Sequence, residues 1–390
     1  MVHVSALKKY EAEMIEWRRD FHMHPEKGFE EFRTSQIVAK LLENFGLEVV
    51  KEFCETAVVG ILDTGKPGKT IGLRADMDAL GMEDLKTVDY KSQTKGLCHS
   101  CGHDGHTAIL LGVAKYFAEN RQGLTGKIKF VFQPAEEGPP PGGAKLLMEH
   151  GILDDVDIML GAHTHASYES GKIIVKHDEL FASGDFFDVT ITGKGGHGAY
   201  PHQCNDVITT GNLVISAFQN IISREIDAVK SGVLSICNIH AGDAKNVVPH
   251  TLSFAGTIRT LDEGVRAHIV DKMETILKYI CKMNGCDYTF EDTFMFPILR
   301  NNNDIVDIVR EVAITTVGEE EVIWLPDVDM GCEDFSYYSN KIPSCYFYFG
   351  VKNEAKNCTA AFHHPEFDMD EACMTTVQAV FINATKTLLK

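Results

Sequence analysis

Residues 103–138 read HDGHTAILLGVAKYFAENRQGLTGKIKFVFQPAEEG. From Gly105 to Asn120 apolar residues recur at helical spacing, and a Gly-containing turn then leads into the β-rich run Lys127 to Phe132 and a Pro/Gly loop. A helix followed by a short apolar strand is one period of a layered α/β chain. The same alternation extends outward. Short β-rich runs lie at Ala57 to Leu62, Thr70 to Arg74 and Asp157 to Gly161, with a further helical stretch from Gly143 to His150. This predicts a mainly parallel sheet flanked by helices. Catalytic groups of such sheets gather at strand ends. Towards the N-terminus, Leu7, Tyr10, Met14, Trp17 and Phe21, and then Ile37, Leu41 and Phe45, mark two amphipathic helices separated by a loop around His24, Pro25 and Gly28.

The texture changes near Ser183. An alternating strand from Phe186 to Thr192, a Gly-rich turn and a helix from about Asp206 to Ser223 precede strands at Val233 to His240 and Leu252 to Thr260. A helix from about Gly264 to Met283 and a strand near Tyr288 to Glu291 complete a β-α-β-β-α-β order. From about Pro297 the earlier alternation resumes. Residues 183–295 are therefore expected to form an inserted α+β domain of four strands and two helices, and residues 1–182 and 296–390 one discontinuous α/β domain. With 390 residues the chain is long enough for two cores.

Composition narrows the partners. A net charge of −19, with no long Lys/Arg run, argues against nucleic acid and anionic membrane surfaces. No uninterrupted apolar run approaches the ~20 residues of a membrane span. Lys8, Lys9, Glu11 and Glu13 leave no apolar stretch for a secretory signal, so the expected compartment is cytoplasmic. The 11 cysteines are scattered along the chain rather than arranged as a dense disulfide framework.

Four clusters carry candidate chemistry. CHSCGHDGH at 98–106 places Cys101 and His103 two apart just before an apolar helix, and alternate positions of an extended segment can direct two ligands to one side. A pair of core thiols or a redox CxxC is the alternative reading. QPAEEG presents Glu136 and Glu137 after a strand. Neighbouring carboxylates repel unless a proton or cation neutralises them, although a solvated acidic turn is also open. If functional, the pair divides into Glu137 as metal ligand and Glu136 as the base that takes a proton from water. AHTH supplies His163 and His165 at the end of the strand beginning at Asp157, and AFHHPEF supplies His363 and His364. Together these Cys, His and Glu groups suit a catalytic divalent metal site. GKGGHG at 193–198 formally matches a dinucleotide-binding GxGxxG, but Tyr200 and Pro201 stand where its helix should open.

The motifs WRRDFHMHPE (17–26), RADMDAL (74–80), CGHDGHTA (101–108), QPAEEG (133–138), GGHGAYPH (195–202), NVVP (246–249), GTIRT (256–260), MGCEDFSYY (330–338) and HHPEFDMDE (363–371) occur in that order. The whole chain resembles the amidohydrolase/carboxypeptidase branch of the aminoacylase-type metallopeptidases. Hippurate hydrolases, N-acetyldiaminopimelate deacetylases and indole-acetyl-amino-acid hydrolases belong to that branch. The resemblance implies two divalent metal ions held by Cys101 in the bridging position, His103, Glu137, His163 and His363, with Glu136 as general base. Zinc and manganese are the first expectations for the metals, nickel and cobalt the alternatives. It further implies that His197 stabilises the oxyanion, that Asn246 and Arg259 hold a substrate carboxylate, and that Asp76 orients a ligand. The inserted domain corresponds to a lid through which the family forms homodimers. The implied reaction is hydrolysis of an N-acyl amino acid such as an N-acetyl or N-benzoyl conjugate, with dipeptidase or carboxypeptidase action as the alternative. Two departures bear on substrate choice: Gly81 replaces a proline after RADMDAL, and GPPPGGAK is two residues longer than the usual GPGGAK.

Overall fold

The strands at the centre of the larger sheet have almost no exposed position, and this dictates their composition. In the computed structural model, which describes residues 1–390, this sheet contains β1 (Glu48–Val50), β2 (Val58–Asp63), β3 (Thr70–Asp76), β4 (Lys127–Gln133), β5 (Ile158–Glu169), β6 (Ile173–Val175), β7 (Val322–Trp324) and β8 (Ser344–Lys352). All seven residues of β3 are buried, as are six of seven in β4. Strands buried on both faces favour apolar residues, and the buried charged and amide side chains here, Arg74, Asp76, Lys129 and Gln133, are each hydrogen-bonded inside. The strand order is β1-β2-β4-β3-β5-β8-β6-β7. β3 runs parallel to both β4 and β5, and β8 runs parallel to β5. Antiparallel pairings lie at β1/β2, β2/β4 and β8/β6. The α/β class expected from the sequence is the one observed.

Register decides where chemistry can occur. Asp76 pairs with Gln133 across β3 and β4, while His163 of β5 pairs with Tyr348 of β8. The carboxyl ends of parallel neighbours therefore deliver the RADMD, QPAEEG and AHTH segments to one edge. One expectation is corrected here. The AHTH segment does not end its strand, because pairing with β8 carries β5 on to Glu169.

Helices α1 (Val4–Met23), α2 (Phe32–Asn44), α3 (His103–Glu119), α4 (Gly143–Glu149), α5 (Asn303–Val317) and α6 (Met374–Leu388) belong to the same unit. In α1 the residues at four-residue steps, Tyr10, Met14, Arg18 and His22, are all buried. The first two bury apolar surface, at roughly 1.5–3 kcal/mol for a large side chain. The last two bring charge inside. Arg18 meets Asp104 of α3 at 2.8 Å and Asp368 at 2.6 Å, and His22 Nδ1 lies 2.7 Å from the same Asp104 carboxylate. Helix α3 is buried on nearly every side, packed against α1 and α6.

The chain divides into two compact units: residues 1–180, 299–327 and 333–390, and residues 181–298 with 328–332. The second unit has its own four-stranded antiparallel sheet, ordered Gly232–Ala241, Thr251–Thr260, Ser183–Thr192, Asp287–Phe296. Phe187, Val189 and Ile191 face inward from one strand. They pack under helices Val207–Asn220 and Glu263–Met283, the second of which buries Val265, Ile269, Met273 and Leu277 at four-residue spacing. Asp206 and Asp262 cap the two helices by accepting backbone N–H groups of the first turn. A two-stranded piece not foreseen from the sequence pairs Gly196–His197 with Val247–Val248.

Buried acids shape the pH response of the first unit. Burial alone would raise the Asp84 carboxyl, but hydrogen bonds from His22 and from the backbone N–H groups of Ser92 and Lys86, with the Lys86 ammonium beside it, bring it well below the usual carboxylate range. A depressed folded-state value means that the stability it confers is fully present above the unfolded pKa, ~3.9, and is lost as pH falls below about 5. Asp84→Asn should therefore flatten the acid limb of a Tm-versus-pH profile while changing Tm less at low pH than at neutrality. An acid limb identical to wild type contradicts this account.

Candidate metal centre

The turn before α3 aims two of the expected ligands. Gly102 lies at φ +88°, and a Cβ there would stand 2.8 Å from both Cγ2 and Oγ1 of Thr164, so glycine satisfies both the backbone and the space. Thr164 Oγ1 in turn donates to the Cys101 carbonyl at 2.9 Å. Cys101 Sγ thereby comes to 3.4 Å from His163 Nε2. The His163 Nδ1–H donates to the Thr164 carbonyl at 2.7 Å, which leaves the Nε2 lone pair facing the thiol. His103 Nδ1 lies 3.0 Å from the Asp78 carbonyl and 3.2 Å from its carboxylate. Its Nε2 is buried without a hydrogen-bond partner, 3.9 Å from carboxylate oxygens of both Asp76 and Glu136.

The acidic pair arrives from the end of β4. Ala135 takes a left-handed φ of 54°, after which the Glu137 N–H donates to Asp78 Oδ2 at 2.8 Å. Glu137 Oε1 stands 3.0 Å from Nε2 of His363, whose own N–H is held by the Ser100 carbonyl. His364 instead accepts the Glu366 N–H on Nδ1. The donor atoms of Cys101, His103 and His163 lie within 4.8 Å of one another, and so do those of Cys101, Glu137 and His363. Cys101 belongs to both sets, and Glu136 stands beside them in a group with His103 and Glu137.

Electrostatics test whether a cation fits. Burial, reinforced by Glu137 and Glu136, pushes the Cys101 thiol far up. Burial, with Glu333 and Glu137 close by, also holds Glu136 well above the usual carboxylate range. Burial works against the charged form of His103, yet Asp76 and Asp78 outweigh it and push the imidazole up to about 10. Burial and the neighbouring His106 hold His163 well below the ordinary histidine range. Each shift reports crowded negative charge or an unprotonated lone pair, and a divalent cation relieves both. The orphaned His103 Nε2 is an atom such an ion requires, and Glu137 Oε1 and His363 Nε2, 3.0 Å apart, offer it a further pair of donors. Thiolate, imidazole and carboxylate donors suit zinc, and the carboxylate also admits manganese.

Two other groups of donors are already satisfied. His106 donates from Nδ1 to Asp76 at 2.6 Å and accepts the Thr164 N–H on Nε2 at 3.0 Å, leaving no lone pair for an ion. His22, Asp84 and Cys98 form a buried triad, but the Lys86 ammonium stands 3.1 Å from Asp84 and supplies its cation. Asp76, expected to orient a ligand, makes 2.6 Å contacts with His106 and Arg74, whereas Asp78 is the carboxylate beside His103 Nδ1. RADMD does contain Asp78, and its i+2 spacing from Asp76 was the available signal. Glu333 and Asp334, from GCEDF, join the centre through Arg74, whose guanidinium reaches Asp76, Glu333 and Asp334 at 2.6 to 3.0 Å. His197, Asn246 and Arg259 lie in the second unit. There His197 pairs with Val247, and the Gly198 N–H donates to the Asn246 carbonyl, so His197 and Asn246 are close neighbours. The Arg259 guanidinium folds back on the sheet, donating to the Ile258 carbonyl and Thr257 Oγ1 of its own strand and to the Asp185 carbonyl of the neighbouring one.

An α/β sheet edge that brings one cysteine into two groups of candidate metal donors, with a further carboxylate beside them, suits a metal-dependent hydrolase of C–N bonds. The chain belongs to peptidase family M20/M25/M40, whose profile matches residues 72–385. It is 40% identical over 370 residues to thermostable carboxypeptidase 2 of Saccharolobus solfataricus, covering 94% of this chain and 92% of that one. It is 37% identical over 339 residues to hippurate hydrolase of Campylobacter jejuni, covering 86% and 88%. A Bacillus subtilis crystal structure described as a dinuclear metal binding peptidase of the M20 family superposes with a TM-score of 0.82 at 29% identity, covering 98% of this chain and 99% of the other.

The shared position of Cys101 has a measurable consequence. Elemental analysis after dialysis should find two ions per wild-type chain, one in His163→Ala or His363→Ala, and close to none in Cys101→Ala. Loss of only one ion in Cys101→Ala would remove the cysteine from its bridging position.

Proposed function

We propose that this protein is a two-metal amidohydrolase that cleaves N-acyl amino acids to a carboxylic acid and a free amino acid. What carries the reading is the pairing of a doubly shared Cys101 with a buried carboxylate, Glu136, that is not needed in either ligand set. The ligands are Cys101, His103, His163, Glu137 and His363. When bound, the two ions supply Lewis acidity, lowering the pKa of water and polarising the scissile carbonyl. Glu136 accepts the proton of the attacking water on its carboxylate and passes it to the nitrogen of the leaving amine. Asp78 fixes the His103 tautomer and, through the Glu137 N–H, the direction of the acidic pair. His197 is assigned to the oxyanion, and Asn246 and Arg259 to the substrate carboxylate, where a guanidinium fork suits two-point capture. Homodimerisation through the second unit and a cytoplasmic location complete the reading. No helix is long and apolar enough to cross a membrane.

A second reading, carboxypeptidase or dipeptidase action, is favoured by the carboxypeptidase among the similar proteins. A single assay separates the two. Amine release is followed from N-acetyl, N-benzoyl, indole-acetyl and fatty-acyl amino acids and from free dipeptides, after chelation and again with manganese, zinc, cobalt or nickel restored. Metal-restored cleavage of the N-acyl set is expected. Turnover confined to dipeptides would transfer the protein to the second reading.

Glu136→Gln keeps the shape of the side chain and removes its basicity. It should retain both ions and lose about 100- to 10,000-fold in kcat. A variant with wild-type kcat would refute Glu136 as the base.

A further inference from the structure

Helix α2 starts without the usual capping group. Glu31 occupies its N-cap position, yet the side chain makes no capping hydrogen bond. The first-turn N–H groups of Arg33 and Thr34 are instead taken by the two carboxylate oxygens of Glu26, at 2.9 and 2.8 Å. Glu31 turns inward and is 0% exposed. One of its oxygens accepts the Thr56 hydroxyl at 2.7 Å, and the other accepts the backbone N–H of Ala135 at 2.8 Å.

Ala135 is the residue before Glu136, and it holds a left-handed φ of 54°. For a non-glycine residue that conformation costs of order 1–3 kcal/mol and persists only where the surroundings enforce it. The enforcement comes from two sides. Asp78 receives the Glu137 N–H on one side of the acidic pair, and Glu31 receives the Ala135 N–H on the other. The loop carrying Glu31 also presses on the same turn, since a Cβ at Gly28 would stand 2.0 Å from the Gly138 carbonyl oxygen and 2.9 Å from Ala135 Cβ. Nothing in the metal chemistry accounts for burying a further carboxyl here at the cost of its hydration.

We propose that Glu31 is a positioning residue, which by holding the Ala135 N–H fixes the turn that aims Glu136 and Glu137. The role rests on the reading of Glu136 as the base. Glu31 spends its carboxyl oxygens on Thr56 and the Ala135 N–H, and so acts through the backbone of the turn. Burial and the nearby Asp78 charge push its carboxyl up to about 8, and a neutral side chain still presents one acceptor oxygen to the Ala135 N–H while its other end donates to the Thr56 hydroxyl, so a glutamine can replace it.

The test compares Glu31→Leu, which keeps volume and loses the acceptor, with Glu31→Gln, which keeps it. Both are assayed on N-benzoylglycine, or whichever N-acyl amino acid the wild type cleaves fastest, at saturating manganese. Glu31→Leu should lose ~10- to 100-fold in kcat, with KM within about twofold of wild type. Glu31→Gln should stay within about threefold of wild-type kcat. A wild-type kcat in Glu31→Leu, a change confined to KM, or a Glu31→Gln as slow as the leucine variant would each overturn the proposal. Should Glu31→Leu not fold, Gly28→Ala drives the same turn from its other contact. The same kcat loss is then expected, and a wild-type kcat overturns the role. Glu136→Gln assayed alongside separates the two claims: if it is silent while Glu31→Leu is unimpaired, only the positioning role falls, and if it is fully active the base assignment itself falls.

Discussion

The guanidinium of Arg74, 2% exposed, lies between segments that are far apart in sequence. It donates to Asp76 on its own strand, to Gln133 at the end of β4, and to Glu333, Asp334 and the Tyr346 hydroxyl. Gln133 returns a donor to Asp334, and Tyr338 donates to Gln133, closing the network. A buried charge of this kind is tolerated only when nearly every lone pair and proton around it is matched. The strand ends, the acidic turn and the GCEDF segment therefore hold one arrangement because one cation has to be satisfied by all of them at once.

That cation is outnumbered. Asp76, Asp78, Glu136, Glu137, Glu333 and Asp334 all crowd the same edge, and burial with the charge of Glu333 pushes even Asp334 up to about 8 against the pull of Arg74. The protein has assembled a concentration of negative charge that its own side chains do not offset. The metal ions of the proposed reaction are thus part of the electrostatic construction as well as of the chemistry. The arrangement also separates two kinds of histidine. Those whose two ring nitrogens both have partners, such as His106, are held in place by the fold, and those left with a bare lone pair, such as His103, remain open to an ion.

Periodicity makes much of this fold legible in the sequence. The four-residue steps of α1 and Glu263–Met283 follow from burial, which acts on local spacing. The candidate ligands were legible through motif order, since Cys101, His103, Glu137, His163 and His363 sit in compact signatures, and the fold brings their donor atoms into neighbouring groups. The supporting shell was less so. Asp78 and Asp76 look alike in RADMD, and only the fold shows which one meets His103. Glu31 gives no sign in sequence of having left its helix cap, because its partner Ala135 is 104 residues away. The length of β5 was likewise hidden, because its second half is a strand only by virtue of pairing with β8. Non-local pairing is the property that single-segment reading does not see.

The position of β8 has a consequence for how the molecule comes into being. This strand lies between β5 and β6, and α6 packs on α1, α3 and α5, so the first 180 residues cannot close their sheet until the last fifty or so have left the ribosome. The strands and helices of the second unit, whose apolar cluster is drawn entirely from residues 187–290, emerge well before that moment. Synthesis therefore runs from a host left half built, through a guest that can finish first, and back to the host. Throughout that interval the edge of β5 is an open template for any other strand, and the waiting time, rather than the final stability, sets the exposure of the nascent chain to misassembly.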